Sequence, residues 1–247
     1  MINFSKHGDD LINELKRIKD LGFVKATRTG NTAIGKTLED LLLKEEDNLS
    51  LPDFEDIEIK SRDSAGNALV TLFTKAPSYP RGANTILRTN YGYEREGAMH
   101  NVLYMTASSS SIASNQYMNV GFKVRVDRNE EKVYLDVYSI DDQTTPINSD
   151  TFWTFDVLED SLNKKLKYLC LVQADRKIIN GEVYFNYTDI DFYSGLTFDN
   201  FINALENGDI YIDTRIGVYP DGRSHDRGTG FRIRYENLLN YSVKHTI

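Results

Sequence analysis

Hydrophobic residues change their spacing several times along this chain, and each change marks an element. Leu11, Ile12, Leu15, Ile18 and Leu21 fall at helical spacing, which predicts an opening helix stopped near Gly22. Leu38, Leu41 and Leu42 mark a second helix that starts after Gly35-Lys36-Thr37. The period then drops to two. Ile57 and Ile59 alternate with Asp56, Glu58 and Lys60, and 68–74 reads as a return strand after the turn Ser64-Ala-Gly-Asn. Further strands are predicted at 102–106, 121–126 and 133–138, with a polar turn over 127–131 and a loop at 108–111. A helix at 156–166 precedes an apolar strand at 168–172. Another, 197–207, opens on a threonine cap and ends at Gly208, and strands at 209–219 and 230–235 complete the pattern. Interleaved helices and strands predict an α/β or α+β chain built on a mixed sheet.

Composition narrows the class. The 247 residues are 40% hydrophobic and 27% charged, which suits one large domain or two closely packed lobes. No apolar run approaches the roughly 18 residues of a membrane span, and Met1 is followed by polar sequence, so a cytoplasmic protein without membrane contact is expected. The single Cys170, within Tyr-Leu-Cys-Leu-Val, reads as a buried, inert thiol of a reducing compartment. The formal charge of −8, from 29 Lys+Arg against 37 Asp+Glu, lacks the basic footprint usual in nucleic-acid binding. Phosphate responds to local fields within about 8 Å, however. Acidic residues gather in 39–47 and 53–58, and Arg and Lys recur in 81–95 and 215–234, so a basic groove beside an acidic metal site stays open.

The stretch Pro52-Asp53-Phe-Glu-Asp-Ile-Glu58-Ile-Lys60 carries the most chemistry. On a strand Glu58 and Lys60 project together, while Ile57 and Ile59 anchor the opposite face. Pro52 places Asp53 at a bend leading into that strand. Two carboxylates and an ammonium can then converge, as phosphodiester hydrolysis requires: carboxylate oxygens hold Mg²⁺, and a lysine orients water or stabilises the transition state. An exposed edge strand with alternating charges produces the same spacing. Asp56, on the face of Glu58, reads as a solvated neighbour.

Gly30-Asn-Thr-Ala-Ile-Gly35-Lys36-Thr37 also matches the phosphate-loop pattern. A true phosphate loop follows a buried apolar strand, whereas Lys25-Ala-Thr-Arg-Thr29 is mostly polar, so no nucleotide cofactor is expected. Instead Gly30 and Gly35 can let backbone approach a DNA phosphate, with Glu39 on the ensuing helix leaning toward the metal. A helix-capping Thr37 and a solvated Glu39 are the plainer alternative.

Several blocks, in order over most of the chain, resemble the MvaI/BcnI family of type II restriction endonucleases, related to the mismatch-repair nickase MutH, and lie closer to its MvaI branch. They are 30–48, opening Gly30-Asn-Thr-Ala-Ile-Gly-Lys-Thr-Leu-Glu39, then 52–60, Leu72-Phe-Thr-Lys75 and Pro80-Arg-Gly-Ala-Asn-Thr85. Lys164-Lys-Leu-Lys-Tyr168, Glu206-Asn-Gly-Asp209, Arg215-Ile-Gly217 and His225-Asp-Arg-Gly-Thr229 follow. The resemblance implies a restriction-endonuclease-like mixed sheet flanked by helices, in two lobes around a DNA cleft. A catalytic lobe would be built around 22–75 and a recognition lobe would include 209–236. It implies a monomer that cuts double-stranded DNA with Mg²⁺ at a CC-centre-GG site, accompanied by a methyltransferase for that site. By matched position Asp53, Glu58 and Lys60 are catalytic, with Asp53 and Glu58 as metal ligands, and Glu39 is the helical acidic residue. His225 and Arg232 fall on the recognition segment, and Arg227 stands where the family pattern has a second His. Arg81, Asn84 and Arg88, in a Pro/Gly-broken loop, suit groove or phosphate contacts. Arg215, Arg227 and Arg232 are donors of the kind that read guanine. Arg232 and Arg234 would share one strand face. A MutH-like nickase, a catalytically inactive DNA-binding module and a nucleotide hydrolase are the alternatives.

Overall fold

A computed structural model describes residues 6–30, 32–43, 57–67, 69–97, 100–226 and 228–246. Asp53, Asp56 and Arg227, singled out in the sequence, lie outside these described residues. In chain order the elements begin with α1 (Lys6–Asp20), β1 (Phe23–Lys25), α2 (Ala33–Leu43), β2 (Ile57–Asp63), β3 (Val70–Thr74), α3 (Ala83–Tyr91) and β4 (Leu103–Ala107). Next come β5 (Val120–Asp127), β6 (Lys132–Ser139), β7 (Pro146–Asn148), β8 (Phe152–Thr154) and α4 (Phe155–Lys165). They continue with β9 (Tyr168–Ile179), β10 (Glu182–Ser194), α5 (Phe198–Glu206) and β11 (Ile210–Val218). The series closes with β12 (Ser224–Asp226), β13 (Gly230–Ile233), α6 (Tyr235–Leu238) and β14 (Val243–Thr246). The chain divides into two compact units, one within Met1–Val70, Lys164–Leu196 and Leu239–Ile247, the other from Thr71–Asn163 and Thr197–Leu238. Thr71 to Lys75, grouped above with the first lobe, fall in the second unit.

The first unit is a mixed sheet in the order β1-β10-β9-β2, with β14 also paired to β10. β2 runs parallel to β9, while β9, β10, β1 and β14 pair antiparallel. The apolar stripe of α1 supplies Leu11, Leu15 and Ile18 to the core, where they meet Leu38 of α2 and Cys170, Val172, Phe185 and Phe192 of the central hairpin. Burying each such side chain contributes about 1.5–3 kcal/mol, enough to commit both helices to the sheet. Gly22 adopts φ 67° just past α1, the left-handed turn that stops the helix. Burial pushes the Cys170 thiol well above its usual range, as the apolar run predicts.

Two departures from the sequence pattern have physical causes. α2 starts at Ala33, ahead of Gly35-Lys36-Thr37, because Gly30 at φ 93° turns the chain and its carbonyl accepts from Ala33 N at 3.1 Å. Thr37 is then an interior residue of the helix, buried, with its hydroxyl accepting from Thr27 N at 3.1 Å. β9 runs 12 residues and its partner β10 13, far past the apolar run that marked the first. Their outer halves alternate polar and apolar residues too irregularly for a period-two signal, and the β9–β10 register shifts between Tyr187 and Asp189.

In the second unit one sheet runs β12-β11-β13-β3 with β4 also on β11, and another β5-β6-β7 with β8 on β6. An aromatic cluster anchors the first: Phe73 lies 5.0 Å from Phe231 and 5.4 Å from Phe201, and Trp153 meets Phe231 edge-on at 5.5 Å. The Trp153 indole donates to Lys75 O at 2.9 Å, satisfying its buried N–H. The predicted cap of α5 is present, Thr197 Oγ1 accepting from Asn200 N at 3.2 Å.

Candidate active site

Among the described residues β2 lies at the edge of the first unit's sheet, with β9 as its ladder partner. Ile57 and Ile59 pack against the core, which fixes the register of the strand and sends Glu58 and Lys60 to its other face. There the Lys60 ammonium donates to Glu58 Oε1. Both side chains are partly exposed, 31% and 26%, so the pair is accessible without being fully hydrated. Lys60 and Ser61 also line a cavity of about 390 Å³ with Arg28, Lys36 and Glu39. Helix α2 closes over the strand at Gly35, where a side chain would meet Ser61 Oγ at 3.6 Å. Glu39 is 65% exposed, 3.6 Å from Lys36 Nζ. The structure therefore brings Glu39, Glu58 and Lys60 to one region of one unit, and Asp53 lies outside the described residues. Among the described residues no group of three His, Cys, Asp or Glu converges. Glu58 and Glu39 are hard oxygen donors of the kind a small divalent cation takes, so the donor chemistry fits that group.

The 30–37 segment is built differently from a phosphate loop. β1, which precedes it, pairs antiparallel with β10 and holds only three residues. Thr37, which would face a cation, is turned into the interior toward Thr27. Lys36 Nζ reaches Asp40 at 2.8 Å, and this hydrogen bond, reinforced by Glu39, raises the lysine above its usual value.

The second unit gathers the arginines. In antiparallel register Arg215 of β11 sits opposite Tyr104 of β4, Asp213 opposite Thr106, and Tyr211 opposite Arg232 of β13. These residues therefore share one sheet face. Asp213, buried, accepts from Arg232 Nη1 at 2.8 Å and from Thr106 Oγ1 at 2.7 Å, and forms an ion pair with Arg215, whose Nε lies 2.7 Å from Oδ2. Arg234 lies past the end of β13, over the Tyr211 ring at 5.8 Å. His225 of β12 stacks on Tyr219 with ring centroids 4.5 Å apart.

Asn84 and Arg88 are on a helix, not in a loop as expected: Gly82 at φ 75° turns the chain after Pro80, and α3 buries Ala83, Asn84 and Leu87. The Asn84 side chain is committed inward, accepting from Thr229 Oγ1 at 3.2 Å. Arg88 donates to Ser224 Oγ and to Asn101 O, each at 3.1 Å, tying α3 to the strand of His225. Arg81, at the turn before α3, is exposed. Sequence reasoning did not single out Asp213, Thr106 or Tyr219. An acidic residue two positions before Arg215 on the same strand was the available signal for the first.

The sequence model of the MvaI/BcnI restriction endonuclease family matches residues 12–241. Among solved structures, the restriction endonuclease MvaI in complex with its cognate DNA substrate is 41% identical, with a TM-score of 0.89 over 99% of both chains. The restriction endonuclease MvaI in the absence of DNA matches at 41% identity and a TM-score of 0.65 over 100% of both chains. No curated protein sequence matches the chain.

Proposed function

The chain belongs to the MvaI/BcnI restriction endonuclease family and is a site-specific deoxyribonuclease, and we propose that it acts as a Mg²⁺-dependent monomer at a CC-centre-GG site. The observation that carries the chemical assignment is the Glu58–Lys60 pair on an edge strand, with Lys60 sharing a cavity with Glu39. The first unit would supply the chemistry and the second would read the sequence.

Glu58, Glu39 and Asp53 would hold the cation through carboxylate oxygens. When bound, Mg²⁺ supplies positive charge at the phosphate and eases deprotonation of a water. Water attacks phosphorus in line, and the bond to the leaving oxygen of the neighbouring nucleotide breaks. Lys60 donates a hydrogen bond toward the attacked phosphate, where negative charge grows as the five-coordinate transition state forms. Glu58 keeps that ammonium in place before substrate arrives, since Lys60 already donates to it. Arg28 and Lys36, lining the same cavity, offer positive charge for the backbone next to the cut.

Base reading would fall to the second unit. Arg215 and Arg232 can offer paired N–H groups to guanine O6 and N7, and His225, held by its stack on Tyr219, can donate or accept at a base edge. Arg227 belongs to the same segment, and Arg81 suits a phosphate contact. Arg88 would act by fixing α3 to β12, and Asn84 by fixing α3 to Thr229 just before β13. A companion methyltransferase for the same site and a cytoplasmic location complete the proposal.

One assay tests it: purified protein, phage DNA and Mg²⁺, with and without ATP. Discrete fragments without ATP, whose sequenced ends share a CC-centre-GG site, are expected. Nicks alone would point to a MutH-like nickase, and random degradation would overturn the site-specific reading.

A further inference from the structure

The carboxylate of Asp213 is the most heavily used acceptor on the arginine-bearing face. Its Oδ2 accepts from Nη1 of Arg232 at 2.8 Å and lies 2.7 Å from Nε of Arg215 in an ion pair, and its Oδ1 accepts from Thr106 Oγ1 at 2.7 Å. The three side chains come from three strands, β11, β13 and β4, so the carboxylate is clamped across the sheet. Only 9% of its side chain is exposed, whereas Arg215 is 51% exposed and Arg232 16%. The acid is therefore inside and the guanidinium of Arg215 outside it. The Arg215 contact to Asp213 is made at Nε, and it is the Nη1–Nη2 edge of an arginine that matches guanine O6 and N7.

We infer that Asp213 is a positioning and specificity-determining residue, whose buried carboxylate fixes Arg215 and Arg232 as a preformed pair of guanine readers and cancels charge that would otherwise draw them to phosphate. The inference rests on the reading of this chain as a sequence-specific nuclease. Two consequences follow from the geometry. An arginine already held in its reading pose loses less conformational freedom on binding, and only the correct base repays its desolvation. An arginine beside a buried carboxylate also contributes little to the sequence-independent attraction to DNA, which counterion release otherwise dominates. Thr106 acts one step further out, orienting the carboxylate through Oδ1.

Asp213→Asn tests this, because the amide keeps the size and shape of the acid while removing its charge. The wild-type cognate site is first identified by sequencing digested ends. Binding of cognate and scrambled duplexes is then measured in Ca²⁺ across a salt series, with melting temperature as a control. The expected result is a cognate preference that falls ten- to a hundredfold, on the order of one lost guanine contact. Scrambled DNA should bind more tightly than to wild type, with a salt slope steeper by about one phosphate contact. A mere strut across the sheet would lower the melting temperature and weaken both duplexes alike, which would overturn the inference, as would an unchanged preference. If the asparagine variant does not fold, Thr106→Val decides, since it should lower the preference in the same direction by a smaller factor. A wild-type protein that fails to discriminate between the duplexes would instead overturn the nuclease reading, and the positioning role with it.

Discussion

Replacing Lys60 by alanine separates chemistry from stability, because the surroundings of this residue predict very different sizes for the two effects. Lys60 pairs with Glu58 on an edge strand, and the two side chains are 31% and 26% exposed. A pair that water still reaches contributes about 0–1 kcal/mol to folding. For a chain of this size 1 kcal/mol shifts the melting temperature by roughly 2–4 °C, so the variant should melt no lower than that. Ile57 and Ile59 keep the strand on its core in either case. Catalysis should respond on another scale. Losing one preorganised donor aimed at the developing charge costs about 10²–10³ in turnover, or roughly 2.7–4 kcal/mol. Single-turnover cleavage of a short cognate duplex with Mg²⁺ reads the rate, thermal melting reads the stability, and duplex binding in Ca²⁺ reads recognition. Cleavage should collapse while the other two stay near wild type. Cleavage at the wild-type rate would refute the assignment of Lys60. A rate loss matched by a large melting shift would make the pair a structural element.

Ca²⁺, which takes longer and looser oxygen coordination than Mg²⁺, should support binding without turnover, and rapid cutting in Ca²⁺ alone would contradict the proposed metal chemistry. Arg232→Ala should cost about 1–3 kcal/mol at one base position, and equal weakening on random DNA would make Arg232 a backbone contact. Lys36→Ala should leave cleavage independent of ATP, and micromolar ATP binding by wild type in calorimetry would reopen the phosphate-loop reading. A supercoiled plasmid with one site should pass through open circles before it becomes linear, because the proposed monomer, with one Glu58–Lys60 set, would cut one strand at a time. Concerted linearisation together with a dimer in sedimentation would contradict this.

Elements whose apolar residues keep one period were legible in the sequence: α1 from its stripe, β2 from alternation, α5 from its cap and stop. β10 was not, since Glu182–Ser194 mixes Tyr, Asn and Asp with apolar residues and only its pairing with β9 on one side and β1 and β14 on the other makes it a strand. The short strands β7, β8 and β12 are likewise products of tertiary pairing, at three residues each. α3 was hidden by Pro80 and Gly82, although Ala83 and Leu87 keep helical spacing beyond them. In the candidate site, Glu58 and Lys60 could be placed on one face from a two-residue spacing alone. The link from Glu39 to Lys60 could not, because it depends on how α2 lies over β2. The spacing to Arg215 hinted at Asp213, but its full set of partners was not legible for the same reason: they stand at positions 106, 215 and 232 on three strands.

The acidic balance of the chain fits this reading once the pairing of charges is considered. Its −8 charge cannot supply a broad attractive field for DNA. Several cations are moreover taken up locally: Arg125 by Asp136 at 2.6 Å, Arg128 by Asp199 at 3.2 Å and Glu206 at 2.7 Å, Arg215 and Arg232 by Asp213. Non-specific binding comes almost entirely from the sequence-independent phosphate term, to which arginines already paired with carboxylates add little. Contacts to base edges are short-range and indifferent to net charge, provided the readers are already aimed. On the proposed function, arginines held by a buried carboxylate would give up affinity for DNA in general and keep it for one sequence.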